Sequence, residues 1–481
     1  MFFNSLDFAI FLPIVFLLFW FVVQKNLKLQ NAFIVVASYV FYGWWDWRFL
    51  TLIIFSTVVD YLIGQRLRTE DKQSKRKVLL WTSIFVNLGF LGFFKYYNSF
   101  LENFVDAFSL FGTQINANSL NIILPVGISF YTFQTLSYTI DVYRKKLEPT
   151  KDFMAFSAFV CFFPQLVAGP IERATNLLPQ FYKKRTFEYN KAVDGMRQIL
   201  WGLFKKVVIA DNCAEYANQI FNNSADMNGS TLVLGAIFFT FQIYGDFSGY
   251  SDIAIGTSRL FGFDLKQNFA TPYFSRDIAE FWRRWHISLS TWFRDYLYIP
   301  LGGSRGGTWI KVRNTFAIFL VSGFWHGANW TFIIWGALNA IYFLPLLITS
   351  NNRNNLGIVA EGKKLPSFKE LFAMLTTFTL TVFAWIFFRA ENVSHAFNYI
   401  GGIFSETILN LPKLSDPYGV IGTVLFIIYF VVAEWLGRED KFAIERIFKM
   451  KNPFRWFFYV LVTCLIIIHS DSKQEFIYFQ F

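Results

Sequence analysis

A histidine lies in the middle of the apolar stretch VSGFWHGANWTFIIWGALN, residues 321–339. If this stretch is embedded in a lipid bilayer, the imidazole of His326 has no water to bind. A polar residue at such depth usually marks a transport pathway or a reactive site. Imidazole is also the side chain best suited to general acid–base chemistry near neutral pH. The competing interpretation is a structural histidine that is hydrogen-bonded to a neighbour, and this stretch alone does not separate the two.

Helical spacing predicts which residues accompany His326. Ser322, His326 and Asn329 lie at positions i, i+4 and i+7, so they would share one helix face. Gly323 and Gly327 form a G-x-x-x-G pattern on a neighbouring face, which permits close helix packing. We therefore expect His326 to point into protein rather than into lipid, with Asn329 as a supporting residue.

A second histidine lies in the polar middle of the chain, within SRDIAEFWRRWHISLSTWFRDYLYIPLGGSRGG, residues 275–307. At the helical period, one arc of about 120° would hold most of its polar side chains, namely Arg276, Glu280, Arg283, His286, Ser290 and Arg294. We predict a single amphipathic helix here, and two placements fit it. It could lie in the membrane interface with tryptophan at headgroup level. It could also line the cytoplasmic mouth of a cavity, where Arg283, Arg284 and Arg294 would meet a phosphorylated ligand.

Three further polar residues cluster in the segment DFSGYSD, which contains Asp246, Ser248 and Asp252. No histidine lies close to them in sequence. The carboxylates could orient a histidine or balance its charge, and they could equally pair with arginine in a structural network.

The spacing of the remaining candidates argues against two kinds of site. The chain has no HxxxH or HExxH pattern, so we expect no metal site at His286 and His326. It also has no G-x-S-x-G pattern, which argues against a serine-hydrolase nucleophile. The cysteines form neither a metal pattern nor a disulfide framework. We interpret the other candidates as structural: Cys161, Cys213, Cys464, His395 and His469.

The elements that position these residues are predicted to be membrane helices. The 481-residue chain is 54% hydrophobic, 21% aromatic and only 16% charged, whereas soluble proteins carry about 25% charged residues. Several apolar runs approach the roughly 20 residues that cross a bilayer, so we predict an all-α polytopic membrane protein with about 11 crossings. We assign the net charge of +11 to basic cytoplasmic loops rather than to nucleic-acid binding.

Basic loops alternate with neutral or acidic loops along the first five predicted spans. The positive-inside rule then places the N-terminus outside and the basic loops in the cytoplasm. We expect the first span to be retained, because MFFNSL lacks positive charge and no small-residue cleavage site follows the apolar run. The segment FFPQLVAGPIER, residues 162–173, is a candidate re-entrant segment since Pro164, Gly169 and Pro170 break helices.

Several long segments together resemble a known family. FWRRWHISLSTWFRDYLYIPLGGSRGG and FLVSGFWHGANWTFIIWGALN resemble the membrane-bound O-acyltransferase (MBOAT) family, and most closely its bacterial alginate O-acetylation branch. ILPVGISFYTFQTLSYTIDVYR, FFPQLVAGPIER and QIYGDFSGYSDIAIGTSRLFGF resemble the same branch. The resemblance runs from about Phe3 to the end. It implies one domain over residues 1–481, a helical bundle around a central tunnel, with a catalytic core near 120–345 and peripheral helices in 1–119 and 346–481.

The resemblance also implies an activity and its participants. The family's invariant histidine matches His326 and would be catalytic, and a second family histidine, towards the cytoplasmic side, matches His286. The implied acyl donor is cytoplasmic acetyl-CoA, with no permanently bound cofactor. The implied acceptor is an extracytoplasmic polysaccharide, alginate-like or another cell-envelope glycan. The implied partner is a periplasmic or membrane-anchored SGNH-type acetyltransferase, and the implied location is the bacterial cytoplasmic (inner) membrane.

The sequence leaves the mechanism and two other functions open. His326 could deprotonate an acceptor hydroxyl, or it could accept the acetyl group itself. A transporter with His326 as a proton relay is one alternative, although the inverted repeats common in transporters are not found. A non-catalytic membrane subunit of a polysaccharide export or modification complex is the other.

Overall fold

The computed structural model describes residues 1–110, 120, 122, 124–167, 169–470 and 474–477, except for the side chains of residues 106–110 and 448. Parts of the predicted fifth span, of the re-entrant candidate and of the N-terminal peripheral region lie outside the described residues, at positions 111–119, 121, 123 and 168. Over the described ranges the regular structure is helical and contains no β-strand. The predicted all-α class is therefore confirmed.

The chain divides into two compact units, Met1–Met196 with Ala254–Lys266 and Arg197–Ile253 with Gln267–Phe481. The first unit contains α1 Leu6–Leu17, α2 Leu27–Asp46, α3 Leu50–Thr69, α4 Gln73–Leu110, α5 Ile128–Tyr143, α6 Phe153–Cys161, α7 Phe163–Leu166 and α8 Ala174–Leu177. Two helices have residues in both units, α9 Tyr189–Leu203 and α11 Gly229–Leu260. The second unit contains α10 Asp211–Asn222, α12 Ile278–Arg284, α13 Ile287–Phe293, α14 Thr308–His326, α15 Trp330–Ile348, α16 Phe368–Arg389, α17 Val393–Ile403, α18 Pro417–Leu436 and α19 Asn452–Ile468. Short π-helical segments follow α1, α9 and α13, at Leu18–Val22, Phe204–Ala210 and Arg294–Tyr298.

Six helical stretches of the described chain are long and apolar enough to cross a bilayer: Leu27–Thr69, Gln73–Val105, Gly229–Leu260, Trp330–Ile348, Phe368–Arg389 and Pro417–Leu436. The first of them consists of α2 and α3, and two shorter apolar helices are Leu6–Val22 and Asn452–Ile468. Four predicted apolar segments fall outside this set, near residues 122–142, 153–169, 195–210 and 314–325. Their helices are too short or are interrupted, or they carry charged residues near the start, as α14 does at Lys311 and Arg313.

Within the first unit, a buried polar cluster joins three helices. Asp60 of α3 is fully buried and accepts hydrogen bonds from Ser83 Oγ (2.5 Å), Asn87 Nδ2 (2.8 Å) and Thr139 Oγ1 (2.9 Å). These donors lie on α4 and α5. Since an unsatisfied buried carboxylate is very costly, the cluster ties α3 to both neighbours.

The predicted helix break in residues 162–173 is confirmed. Helix α6 ends at Cys161, and Phe162 then has φ −50° and ψ 105°, outside the helical region. Helix α7 covers only Phe163–Leu166, with Pro164 in its first turn. Proline suits that position because it lacks the backbone N–H that the helix would otherwise leave unpaired.

The single amphipathic helix predicted around His286 is wrong. Two residues separate α12 from α13: Trp285 is extended, with φ −98° and ψ 128°, and His286 is left-handed, with φ 41° and ψ 55°. Asp277 caps the start of α12 by accepting a hydrogen bond from the backbone N–H of Glu280. The polar residues of this segment therefore do not share one helix face, because the chain changes direction in the middle of the arc. The spacing of polar and apolar residues does not reveal that Trp285 and His286 leave the helical region.

The face predicted for Ser322, His326 and Asn329 also ends early. His326 is the last residue of α14, and Gly327 is fully extended. Asn329 instead caps α15, where its side chain accepts from the backbone N–H of Thr331. It also donates to the carbonyl of Glu391 at 2.6 Å, so Asn329 holds the turn between α14 and α15.

Close packing of α14 at Gly323 is confirmed, with α15 as the partner. A Cβ atom at Gly323 would overlap the backbone carbonyl of Phe332, and one at Gly336 would overlap that of Phe319. The two glycines thus let the backbones of α14 and α15 approach directly, as small residues do in membrane helix pairs. This contact orients the end of α14 that bears His326.

We expect the substitution Gly323→Ala to lower the thermal stability of the purified protein. The added methyl meets backbone atoms that cannot rotate away, and such overpacking typically costs about 1–3 kcal/mol. The measurement is the fraction of monodisperse protein in detergent after heating across a temperature series. The matched control is Gly89→Ala on α4, where a Cβ meets nothing within 4 Å. Equal midpoints for the two variants would contradict the packing argument.

Candidate active site

His326 is buried in an aromatic environment formed by three consecutive helices. Its ring centroid lies 4.8 Å from that of Trp325, 5.1 Å from Trp335 on α15 and 5.0 Å from Phe388 on α16. The residue is 5% exposed. Such a setting excludes bulk water and strengthens any electrostatic interaction that the imidazole makes.

His286 is buried in a second aromatic setting within the same unit. Its ring lies 4.6 Å from Phe247 on α11, in an edge-to-face arrangement, and 6.3 Å from Phe269. Its Nδ1 atom lies 3.1 Å from Oδ1 of Asn268. Burial lowers the pKa of the His286 imidazole to about 3, so the ring is neutral at pH 7.

Tryptophans connect the two histidines. The ring of Trp325 lies 6.2 Å from His286 and 4.8 Å from His326. A second path runs through Trp285 and Trp385, whose centroids are 5.0 Å apart, and from Trp385 to Trp335 at 5.8 Å. Both imidazoles therefore belong to one continuous aromatic cluster, although 40 positions separate them in sequence.

A cavity of about 300 Å³ opens next to this cluster. Its apolar wall includes Phe319, Phe343 and Leu347. It also reaches Ser322, one turn before His326, and Ile287, the residue that follows His286. The cavity thus extends from the polar surface of the second unit towards the segments that bear both histidines.

Three arginines line this cavity: Arg283, Arg294 and Arg353. All three side chains are exposed to solvent. Arg294 pairs with Asp295 at 2.7 Å. Arg283 donates to the backbone carbonyls of Asn352 and Asn355, so part of its guanidinium stabilises the loop after α15.

Arg284 does not line this cavity, but it lines a separate one together with Lys205 and Arg438. Its predicted contact with a ligand phosphate stays a prediction. Its guanidinium pairs with the buried carboxylate of Glu280 at 2.9 Å and donates to the backbone carbonyls of Ala270 and Gly357. Arg276 pairs with the same carboxylate at 3.0 Å. These contacts hold α12 in place. Sequence reasoning missed Arg353, because it lies in a polar loop far from the amphipathic segment.

Asp246 and Asp252 pair with lysines rather than with the arginines considered from the sequence. Asp246 lies 2.9 Å from Nζ of Lys206, which also pairs with Asp211 at 2.8 Å. Asp252 lies 2.5 Å from Nζ of Lys205. Both lysines follow the end of α9 in its π-helical continuation, where no charge motif predicted a partner.

The neighbours of these carboxylates complete the core beside His286. Ser248 is buried one turn before Asp252. The backbone N–H of Ile477 donates to Asp246 at 2.7 Å, and the ring of Phe476 lies 6.0 Å from Phe247, which contacts His286. Sequence reasoning missed this contribution from residues 474–477, since nothing local to that segment points to α11.

The arrangement favours a particular kind of ligand. The cationic rim suits an anionic group that remains in water. The apolar wall suits an uncharged arm. The cavity is lined by Ile287 and Ser322 rather than by either imidazole. A buried imidazole can in general act as a base or a nucleophile where competing water is excluded.

Comparison with known proteins places this site in a family. A model of the MBOAT, membrane-bound O-acyltransferase family matches residues 144–384, which include both histidines. The probable alginate O-acetylase AlgI of Pseudomonas aeruginosa is 40% identical over 429 residues, 88% of this chain and 79% of that protein. The corresponding Pseudomonas putida protein is 37% identical over 495 residues, 98% of each chain. The peptidoglycan O-acetyltransferase of Helicobacter pylori is 36% identical over 434 residues, 84% of this chain and 80% of that protein. The chain therefore belongs to the membrane-bound O-acyltransferase family.

Proposed function

We propose that this multi-pass membrane O-acyltransferase transfers acetyl groups from cytoplasmic acetyl-CoA to an extracytoplasmic polysaccharide. The observation that carries the proposal is the cavity lined by exposed arginines together with Ile287 and Ser322, which lie one residue after His286 and one turn before His326. The names of the relatives support the acyl group and the kind of acceptor, since they include alginate and peptidoglycan O-acetylating proteins. The acceptor of this chain is accordingly an alginate-like exopolysaccharide or another cell-envelope glycan.

The shape and charge of the cavity support acetyl-CoA as donor. A volume of about 300 Å³ lies at the lower limit for small-molecule sites. It suits the thioester and its pantetheine arm, while the phosphorylated nucleotide remains outside. The rim arginines Arg294 and Arg353 would then meet the phosphates, and Phe319 would line the path of the arm.

His326 is the proposed catalytic residue, and it could act by either of two mechanisms. As a general base it takes the proton of an acceptor hydroxyl, whose oxygen attacks the thioester carbonyl. The C–S bond then breaks, and the thiolate of CoA receives a proton. As a nucleophile it forms a bond to the acetyl carbon and releases CoA, and the acceptor hydroxyl later takes the acetyl group from the imidazole. His286, adjacent to the cavity through Ile287, would serve the donor side.

The direction of transfer follows from the charge of the donor. CoA phosphates cannot cross hydrocarbon, so transfer through the protein moves the acetyl group without moving CoA. The arginine-rich rim would face the cytoplasm of a bacterial inner-membrane protein whose N-terminus is extracytoplasmic, in keeping with the positive-inside rule. The acetyl group would reach the glycan directly or through a periplasmic or membrane-anchored SGNH-type partner.

We expect His326→Gln to abolish thioester cleavage in purified protein reconstituted in nanodiscs. Loss of the base or nucleophile should lower the rate at least about 100-fold, the usual contribution of such a group. The measurement follows release of free CoA and transfer of radiolabelled acetyl. Label retained on the wild-type protein and absent from the variant would favour the acyl-histidine route.

The matched control is His395→Gln, which alters a histidine on α17 that lies 3.1 Å from Ser224 Oγ. It should cleave the thioester at the wild-type rate. If the wild-type protein alone shows no thioester cleavage, the assay is repeated with the candidate SGNH-type partner and glycan. A His326→Gln protein that remains as active as wild type would contradict the assignment.

We expect the double variant Arg294→Gln/Arg353→Gln to raise the KM for acetyl-CoA about tenfold, which corresponds to ~1.4 kcal/mol. The value of kcat should change little, because both arginines lie at the rim and away from the reacting carbon. The measurement is a set of initial rates over a range of donor concentrations at low and high salt.

S-acetylpantetheine provides the matched substrate, since it has the thioester and arm but no nucleotide phosphates. The double variant should use it as well as wild type does. Lys183→Gln, an exposed charge in the first unit, is the control for a general loss of positive charge. An equal KM increase with both substrates would refute the phosphate contact.

A further inference from the structure

The unusual backbone of His286 is held by one neighbouring segment. The left-handed conformation, φ 41° and ψ 55°, is unfavourable for a residue with a Cβ atom and persists only where surrounding contacts impose it. The backbone N–H of Ile287 donates to the carbonyl of Asn268 at 2.9 Å, and that of Ala270 donates to the carbonyl of Arg284 at 3.0 Å. Residues 268–270 therefore hold the chain on both sides of His286.

The side chain of Asn268 lies at the centre of these contacts and is fully buried. Its Oδ1 accepts from the backbone N–H of Ser288 at 3.2 Å and from the hydroxyl of Ser288 at 2.8 Å. The same oxygen lies 3.1 Å from Nδ1 of His286. Its Nδ2 donates to Oγ of Ser251 on α11 at 3.0 Å.

These contacts determine which atom of the amide faces the imidazole. A backbone N–H can only donate, so the atom of Asn268 that faces Ser288 N must be the carbonyl oxygen. That oxygen can only accept, so the 3.1 Å contact is a hydrogen bond when Nδ1 of His286 carries the proton. The hydroxyl of Ser288 lies farther from Nδ1, at 3.5 Å, and donates to Oδ1 of Asn268 at 2.8 Å. We propose that Asn268 is a positioning residue that holds His286 in the Nδ1–H tautomer and leaves the lone pair on Nε2.

The assigned tautomer limits what His286 can do in the reaction. A neutral imidazole with its proton on Nδ1 offers Nε2 as an acceptor, towards a hydroxyl or thiol, and cannot donate from that atom. His286 would thus receive a proton or orient a donor group, rather than supply a proton to a leaving group. This consequence rests on the proposed function, whereas the tautomer itself does not.

The direct test is ¹⁵N solid-state NMR of the full-length protein in lipid, labelled only at histidine. The chain has four histidines, and the signals of His286 are identified by their loss in His286→Gln. We expect a protonated Nδ1 and an unprotonated Nε2 in wild type. A signal pair with the proton on Nε2 would overturn the proposal, and this measurement requires no activity.

Three variants distinguish positioning from general support of the fold. Asn268→Ala removes the acceptor, so we expect mixed tautomers and a kcat at least tenfold lower, with the KM for acetyl-CoA nearly unchanged. Asn268→Asp keeps an acceptor oxygen and should restore the single tautomer and most of kcat. Ser251→Ala removes only the contact at Nδ2 and should preserve the tautomer.

The outcomes separate this inference from the proposed function. Retention of both the Nδ1–H tautomer and kcat in Asn268→Ala would refute the role of Asn268. If Asn268→Ala does not fold, the wild-type spectrum alone decides the tautomer. If wild type shows no acetyl transfer with any donor or partner, the proposed function fails, and the tautomer assignment is still tested by the spectrum.

Discussion

A polar group that is buried at the depth of a bilayer must find its partner within the protein, because hydrocarbon offers none. This constraint organises both units. In the first unit, three neutral donors surround the carboxylate of Asp60. In the second unit, lysines in the π-helical continuation of α9 neutralise Asp246 and Asp252 on α11. The carboxylates thereby form a scaffold of ion pairs around the helix that packs against His286.

The need to satisfy buried polar groups within the protein also applies to the two buried imidazoles. Each is enclosed by aromatic rings, which are large, apolar and rigid. A neutral imidazole tolerates such a setting, whereas an isolated formal charge does not. The exposed charges of the site lie instead on arginines that line the adjoining cavity. The buried imidazoles and the exposed arginines thus have different surroundings within the second unit, one apolar and one in contact with solvent.

The backbone course around the two histidines depends on the conformation of a few residues at helix ends. His286 leaves the helical region and is held there by contacts with Asn268. His326 ends α14, and Asn329 caps the next helix, so the imidazole lies where the chain turns. The glycine contacts between α14 and α15 then determine how closely the two helices approach.

Composition and local pattern were sufficient for the coarser features of this protein. Long apolar runs determined its helical membrane class, since the thickness of the bilayer sets the length of each run. The rarity of a histidine in such a run made His326 a candidate site residue, and the arginines after Phe281 predicted contacts with a phosphorylated ligand. Periodicity failed at Trp285 and His286, because an extended and a left-handed residue separate two helices there without a local signal. The partners Lys205, Lys206 and Asn268 were also missed.

Only the tertiary structure shows the contacts made by Lys205, Lys206 and Asn268. These contacts join residues that are distant in sequence, and they depend on how the helices pack. Arg283 and Arg284 illustrate this most directly. They are adjacent and chemically identical, yet one lines the cavity and the other pairs with Glu280. The sequence determines which side chains are available in each helix. Packing determines which of them face a partner, which face a cavity and which face solvent, because each backbone direction is set by neighbours far along the chain.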